Sequence, residues 1–194
     1  AFPETWAHVL PGAQIIGDDE TLDLVPSTHD LVVHAMALHW ANDPVGQLIQ
    51  CLRALEPDGL FLAVFPGGRS LQELRASLAE AESQIRGGLS PRVLPMGEIR
   101  DLGALLMRAG FALPVADSLV LKASYRDLYH LCRDLRAMGE TNALMTRLKH
   151  FAGRTFFAEA ARQMAMAFPA DGERVQTTYE LMFLTGWAPH PSQQ

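Results

Sequence analysis

Two short apolar runs with an amphipathic segment between them dominate the hydrophobic pattern of this chain. Residues 31–36 and 60–65 are almost continuously apolar, which is typical of strands that are covered on both faces of a parallel sheet. Apolar residues recur between them at helical spacing, and these are Val45, Leu48, Ile49, Leu52 and Leu55. The pattern therefore predicts a strand, a helix and a second, parallel strand, joined in a right-handed unit.

Local signals mark both ends of the predicted helix. Asp43 can cap it, and Pro44 fits its first turn, where a backbone N–H has no helical partner in any case. Residues 56–59 (EPDG) are expected to end the helix and turn the chain into the second strand. Because ligands of open parallel sheets bind beyond the carboxyl ends of strands, a site is expected around residues 35–42 and 66–69.

Weaker patterns predict the remaining elements. Residues 1–12 are the tail of a helix or a connector, and residues 14–17 (QIIG) form a short strand. Ser70 and Glu73 match a capping box, which opens a helix that ends at Gly87. Further along the chain, helices are predicted at 98–109, from Ser124 and Asp127 to Gly139, and at 155–168, and strands at 113–123 and 176–184.

Composition and charge narrow the possible functions. The 194 residues are 48% apolar, and the formal net charge of −6 without a basic run argues against a nucleic-acid partner. No apolar stretch reaches the roughly 18 residues of a membrane span. Cys51 and Cys132 fall in predicted helices, without zinc-ligand spacing, and are expected to be reduced thiols of a cytoplasmic protein.

An acidic turn follows the first predicted strand. Asp18, Asp19 and Glu20 come directly after residues 14–17. Such a cluster is either a solvated turn or a ligand contact, since a carboxylate at a strand end can accept hydrogen bonds from a ribose or an amino group. The residues alone leave both alternatives open.

Several segments resemble class I S-adenosylmethionine (SAM) methyltransferases of the BioC/UbiE type. The acidic turn, ALHWANDP (37–44) and LEPDGLFLAV (55–64) follow the order found in the middle of that family. Four more segments resemble one subgroup, the bacterial relatives of mitochondrial complex I assembly factor 5: residues 66–95, 101–117, 133–144 and 184–193. The resemblance runs from about residue 15 to the C-terminus.

The resemblance implies an α/β, Rossmann-like methyltransferase sheet that is mostly parallel, with an antiparallel last strand and strand order 3-2-1-4-5-7-6. A helical insertion at about 124–170 would precede the last strand. The glycine-rich loop and the first two strands of the family have no counterpart in these residues. We therefore expect a single methyltransferase-like domain that lacks its N-terminal SAM-binding half, and an exposed sheet edge that could self-associate.

The cofactor that the resemblance implies is SAM, bound weakly or not at all by these 194 residues. Asp18 matches the acid that contacts adenine, and Asp19 would offer its backbone N–H to the ring. Ala35 and Met36 would line the pocket at the end of the fourth family strand, although a methionine there can equally be core.

Residues that could contact a substrate follow the predicted strands and helices. His39 and Trp40 are the candidates for catalysis at the mouth of the site, as a base and a packing or stacking group. The candidates on the substrate side are Arg69, Arg92, Glu140 and Asn142. Each has a plain alternative as a capping or solvated residue, and no metal site is expected.

Three functions of different classes remain open. The first is a SAM-dependent methyltransferase acting on a small molecule or protein, active only in the complete protein. The second is a SAM-binding protein-arginine hydroxylase or respiratory complex I assembly factor, as the resemblance to the mitochondrial subgroup implies. The third is a non-catalytic module that binds a partner protein. A bacterial cytoplasmic location is expected for all three.

Overall fold

The computed structural model describes residues 3–150, 152–190 and 192. The helices are α1 (Pro3–Val9), α2 (Pro44–Ala54), α3 (Gln72–Arg86), α4 (Ile99–Ala109), α5 (Leu128–Ala137) and α6 (Arg154–Ala167), and a 3-10 helix spans Leu38–Trp40. The strands are β1 (His29–Ala35), β2 (Leu55–Gly67), β3 (Ala112–Tyr125), β4 (Pro169–Ala170) and β5 (Arg174–Trp187).

The five strands form one mixed sheet. Its order is β1-β2-β5-β3, with β4 paired to β5. β1 and β2 are parallel, whereas β4 and β5 are antiparallel. This order equals the 4-5-7-6 half of the expected family sheet, and α5 and α6 lie between β3 and β5 as the predicted helical insertion. The expected α/β fold is confirmed.

The unit of β1, α2 and β2 also forms as predicted. Leu31 lies opposite Leu60 and Ala35 opposite Val64 in the parallel register. Asp43 caps α2, because its side chain accepts a hydrogen bond of 2.9 Å from the backbone N–H of Gly46. The predicted turn at 56–59 is instead the beginning of β2, which starts directly after the helix.

The chain divides into two compact units. The first unit comprises Ala1–Gly68, Gly97–Leu119 and Leu181–Gln194, and the second comprises Arg69–Met96 and Val120–Glu180. In the first unit, Leu48 of α2, Leu106 of α4 and Phe61 of β2 are buried in one core. In the second unit, α3, α5 and α6 form a separate core around residues such as Phe156 and Leu131.

Three local predictions are wrong. Residues 14–17 form no strand, because no described strand lies beside them to supply hydrogen bonds. Ser70 and Glu73 form no capping box: the N-cap of α3 is Leu71, and no side chain caps it. The helix that ends at Gly87 was also expected to turn its apolar residues inward, yet Ile85 near its end is 44% exposed.

One face of β1 remains exposed. Val32 packs against the core of the first unit and His34 is buried, whereas Leu31 and Val33 on the other face are 44% and 41% exposed. Covering on both faces, as the apolar run suggested, is therefore not found among the described residues.

Candidate functional site

A cavity of about 600 Å³ lies alongside β1 in the first unit. Every residue of β1, from His29 to Ala35, contributes to its wall. Because successive strand residues point to opposite faces, a wall made of all of them follows the edge of the strand and not one face. Residues 10–18 line the cavity as well, and they include Asp18.

The acidic turn is held at the carboxyl end of β1 by side-chain amides. The Nε2 of Gln47, on α2, donates a hydrogen bond of 2.9 Å to the backbone carbonyl of Asp19. The side chain and backbone amides of Asn42 both donate to the Glu20 carboxylate, at 2.6 and 3.1 Å. These contacts lower the pKa of Glu20, the backbone hydrogen bond contributing most. The turn is therefore positioned without strand pairing.

Gln50, one turn beyond Gln47, completes this support. Its Nε2 donates to the carbonyl of Glu20 at 2.9 Å, and its Oε1 accepts from the N–H of Leu22 at 2.8 Å. One side-chain amide thus satisfies a carbonyl and an N–H two residues apart, as a neighbouring strand would.

His34 is the buried titratable group of β1. It is 8% exposed, and its Nε2 lies 3.1 Å from the Oε1 of Gln47. Burial lowers the pKa of His34, although the hydrogen bond to Gln47 and the nearby carboxylate of Asp18 act in the opposite direction. The ring is therefore neutral at neutral pH.

Met36 has an unusual backbone at the end of β1. Its φ of 55° lies in the left-handed region, which residues other than glycine rarely adopt. The backbone N–H of Met36 donates to the carbonyl of Val64 at 2.6 Å, so the turn out of the strand is anchored to β2. Ala35 and Ala37 line the cavity but Met36 does not, so its contact with a ligand stays a prediction.

The two candidates for catalysis lie together on the 3-10 helix. The rings of His39 and Trp40 are half-buried, with centroids 5.4 Å apart and planes tilted by 46°. They follow β1 in the chain, two to three residues after Ala37, which lines the cavity. A role in catalysis stays a prediction for both residues.

The substrate-side candidates all belong to the second unit. Arg69 has an exposed side chain, and its Nε lies 3.3 Å from a carboxylate oxygen of Glu180. Asn142 donates a hydrogen bond of 2.9 Å to the carbonyl of Pro91 and accepts one from the N–H of Leu144. Glu140 follows α5 and is half-buried.

Arg92 is bound by side chains of its own unit. Its guanidinium donates to Glu82 at 2.8 Å and lies 4.1 Å from the ring centre of Phe156. Ser90 also donates to Glu82, through its hydroxyl and its backbone N–H. Burial acts to raise the pKa of Glu82, but the hydrogen bonds from Arg92 and Ser90 outweigh it and lower the pKa to about 2. A substrate contact by Arg92 stays a prediction.

The structure thus brings some of the predicted residues together. Asp18 and Ala35 line one cavity, and Asn142 contacts the residue next to Arg92. Sequence reasoning missed His34, Gln47 and Gln50, because a histidine within an apolar run and glutamines on a helix carry no pattern of their own. Among the residues that the structure describes, no three His, Cys, Asp or Glu side chains converge to hold a metal ion. No helix in the described part of the chain is long and apolar enough to cross a membrane.

Comparison with known proteins shows similarity to methyltransferases and to their relatives. Residues 5–63 match the model of a methyltransferase domain. The chain is 36% identical, over 184 residues, to the arginine-hydroxylase NDUFAF5 of Danio rerio, a mitochondrial protein. It is 32% identical, over 179 residues, to the malonyl-[acyl-carrier protein] O-methyltransferase of Xylella fastidiosa.

Residues 5–63 match a methyltransferase domain, and the chain has the fold of class I SAM-dependent methyltransferases. The matches cover 95% and 92% of this chain but only 57% and 58% of the two relatives, so it spans little more than half of their length. A solved structure of the same fold is the YcgJ protein of Bacillus subtilis, with a TM-score of 0.55 and 13% identity. That comparison covers 96% of this chain and 76% of the other, and it concerns the fold alone.

Proposed function

We propose that the complete protein is a SAM-dependent methyltransferase that binds the nucleoside of SAM at the carboxyl end of β1. The observation that carries this proposal is the acidic turn with Asp18, which the side-chain amides of Gln47 and Gln50 hold beside β1, in a chain similar to methyltransferases. Asp18 accepts hydrogen bonds from the nucleoside, Asp19 offers a backbone N–H, and Ala35 and Met36 contact the ring. SAM supplies the electrophilic methyl group when bound, and the protein aligns donor and acceptor and excludes water.

The described residues fit one end of this cofactor. Apolar residues such as Ile15, Ile16 and Leu22 line the cavity beside the Asp18 carboxylate, a combination that suits a flat, polar-edged base. The glycine-rich loop that would hold the methionine end is not present in the sequence. We therefore expect the 194-residue chain to bind SAM weakly, and a micromolar dissociation constant by calorimetry would contradict this expectation.

The second candidate function is that of a SAM-binding protein-arginine hydroxylase or of a respiratory complex I assembly factor. The observation that favours it is the 36% identity to a protein named an arginine-hydroxylase, over 95% of this chain. The 32% identity to a malonyl-[acyl-carrier protein] O-methyltransferase favours methyl transfer to an acyl thioester instead.

Mass spectrometry of the products separates the two functions. The complete protein is incubated with SAM and either malonyl-acyl carrier protein or, with dioxygen and a reductant supplied, an arginine-containing protein substrate. Addition of a methyl group to the first supports the methyltransferase, and an added oxygen on arginine supports the hydroxylase. A complete protein that binds no SAM contradicts both and supports a module that binds a partner protein.

The organisation of the protein is part of this proposal. We propose that the chain forms a single methyltransferase-like domain with an insertion at about 124–170. Contacts between residues divide it into two compact units. Self-association through the edge of β1, which is the terminal strand of the sheet, is supported by the exposed Leu31 and Val33. The bacterial cytoplasmic location still rests on the sequence, since the relatives include mitochondrial as well as bacterial proteins.

A further inference from the structure

We propose that Gln47 is a positioning residue of the nucleoside site, and that the direction of its amide, set by the carbonyl of Asp19, fixes the tautomer of His34. Gln47 is 3% exposed and connects three segments: α2, on which it lies, β1 through His34, and the acidic turn through Asp19. This inference rests on the proposed SAM site, because the Asp18 next to the anchored carbonyl is the ligand contact.

Donor and acceptor chemistry determines how the three groups are arranged. The backbone carbonyl of Asp19 can only accept, so the end of the Gln47 amide that faces it at 2.9 Å is the NH₂ group. The Oε1 of Gln47 then faces the ring of His34 and can only accept. The Nε2 of His34, 3.1 Å away, must therefore carry the proton and donate it.

The second ring nitrogen of His34 agrees with this assignment. Its Nδ1 is buried and has no hydrogen-bond partner among the described residues. A proton on Nδ1 would be an unsatisfied buried donor, and Nε2 would then face Oε1 with one lone pair against another. The neutral ring with its proton on Nε2 is the one form that satisfies the contact to Gln47.

Gln47 acts on the ligand site through the backbone of the turn. Residues 13–19 lie outside helices and strands, so no ladder of sheet hydrogen bonds fixes Asp18. The bond from Gln47 to the carbonyl of Asp19 supplies this constraint one residue away, and Gln50 anchors the next carbonyl. Gln47 needs no contact with the ligand for this role.

Two substitutions at Gln47 separate its two hydrogen bonds. Gln47→Met preserves the volume and removes both. Gln47→Glu keeps an oxygen that accepts from His34 but places a carboxylate oxygen against the Asp19 carbonyl, which it repels. The matched control is Gln163→Met, which removes a half-buried glutamine of the second unit that bonds Glu159.

Nuclear magnetic resonance of the 194-residue chain tests the proposal in two steps. Long-range proton–nitrogen spectra of the histidine rings report the tautomer of His34 without any ligand. We expect a proton on Nε2 in the wild type and in Gln47→Glu, and a mixture of tautomers in Gln47→Met. Both Gln47 variants shift the backbone amides of residues 18–20, and Gln163→Met leaves them unchanged.

Titration with adenosine, the probe ligand, is the second step. Both Gln47 variants are expected to bind about fivefold more weakly than the wild type, the effect of roughly one neutral hydrogen bond. A proton on Nδ1 in the wild type, unmoved amides of 18–20, or equal affinity of Gln47→Met and wild type would each overturn the inference. Lack of any saturable response in the wild type counts against the proposed function instead, and the ligand-free spectra then decide the role of Gln47.

Discussion

Buried carboxylates of the second unit show how single residues fix loops in this molecule. Glu82 on α3 is 2% exposed and accepts hydrogen bonds from Ser90 and Arg92, which belong to the irregular segment after the helix. Glu73 is similarly buried and accepts from the N–H and hydroxyl of Thr178 on β5. Each carboxylate thus connects α3 to a segment that no regular hydrogen bonding holds to it.

The Arg92→Met variant tests the first of these contacts. We expect it to lower the free energy of unfolding by about 3 kcal/mol at pH 7, because it removes the shorter of the two ion pairs of the buried Glu82 carboxylate and leaves only Arg86, at 3.8 Å. The pKa of Glu82 is about 2 in the folded chain against an ordinary 4.5, so this stabilisation is present above pH 4.5 and is lost as the pH falls toward 2. Urea unfolding at pH 7 and pH 3 measures both effects.

A matched control is Arg126→Met, whose partner Asp127 is exposed. The two side chains are 67% and 40% exposed, and such pairs contribute about 0.5 kcal/mol or less. Equal effects of Arg92→Met and Arg126→Met would show that the Glu82 contact adds no more than a surface pair.

The strength of a local sequence signal decided which residues could be predicted. Asp18 was singled out because it follows a short apolar run and matches the acid that contacts adenine in the family that the sequence resembles, and it lies in the cavity wall. His34 and Gln47 could not be found, because their roles depend on the distance between β1 and α2 in the folded chain. The capping box predicted at Ser70 was wrong for the same reason. The hydroxyl of Ser70 donates to the backbone carbonyl of Glu180, which is 110 residues away in the chain.

Helices and strands were predicted well where capping and turn residues agreed with the hydrophobic periodicity. α2 has a capping aspartate, a proline in its first turn and a continuous apolar stripe, and it begins where expected. α4 ends at Gly110, whose φ of 96° places it in the left-handed region that a glycine adopts without strain. The predicted strand at 14–17 failed because a strand needs a neighbour, which a local pattern cannot guarantee.

The exposed face of β1 leads to a prediction at the scale of the element. Leu31→Lys is expected to reduce concentration-dependent association of the chain, because a charge on an edge strand opposes pairing with a second strand. Met107→Lys is the control, since Met107 is 64% exposed on α4 in the same unit. Sedimentation velocity over a range of concentrations measures the effect. A wild type that stays monomeric throughout, or an equal response to both substitutions, would contradict association through β1.

At the scale of the whole molecule, the proposed ligand site lies at one terminal strand of the described sheet. β1 is the last strand in the order β1-β2-β5-β3, and the cavity follows its edge. The chain spans little more than half the length of its relatives, so its affinity for SAM is expected to be low. We propose that this weak binding is located at Asp18 and the end of β1.

Titration of the isotopically labelled 194-residue chain with SAM, followed residue by residue by nuclear magnetic resonance, tests this location most directly. The account predicts saturable shifts of the backbone amides of Asp18, Asp19, Ala35 and Met36, with a dissociation constant weaker than micromolar. Asp18→Ala should weaken the response, and Asp117→Ala, an exposed aspartate on β3, should not. Saturable shifts confined to the opposite end of β2, around Asp58 and Gly59, would contradict it.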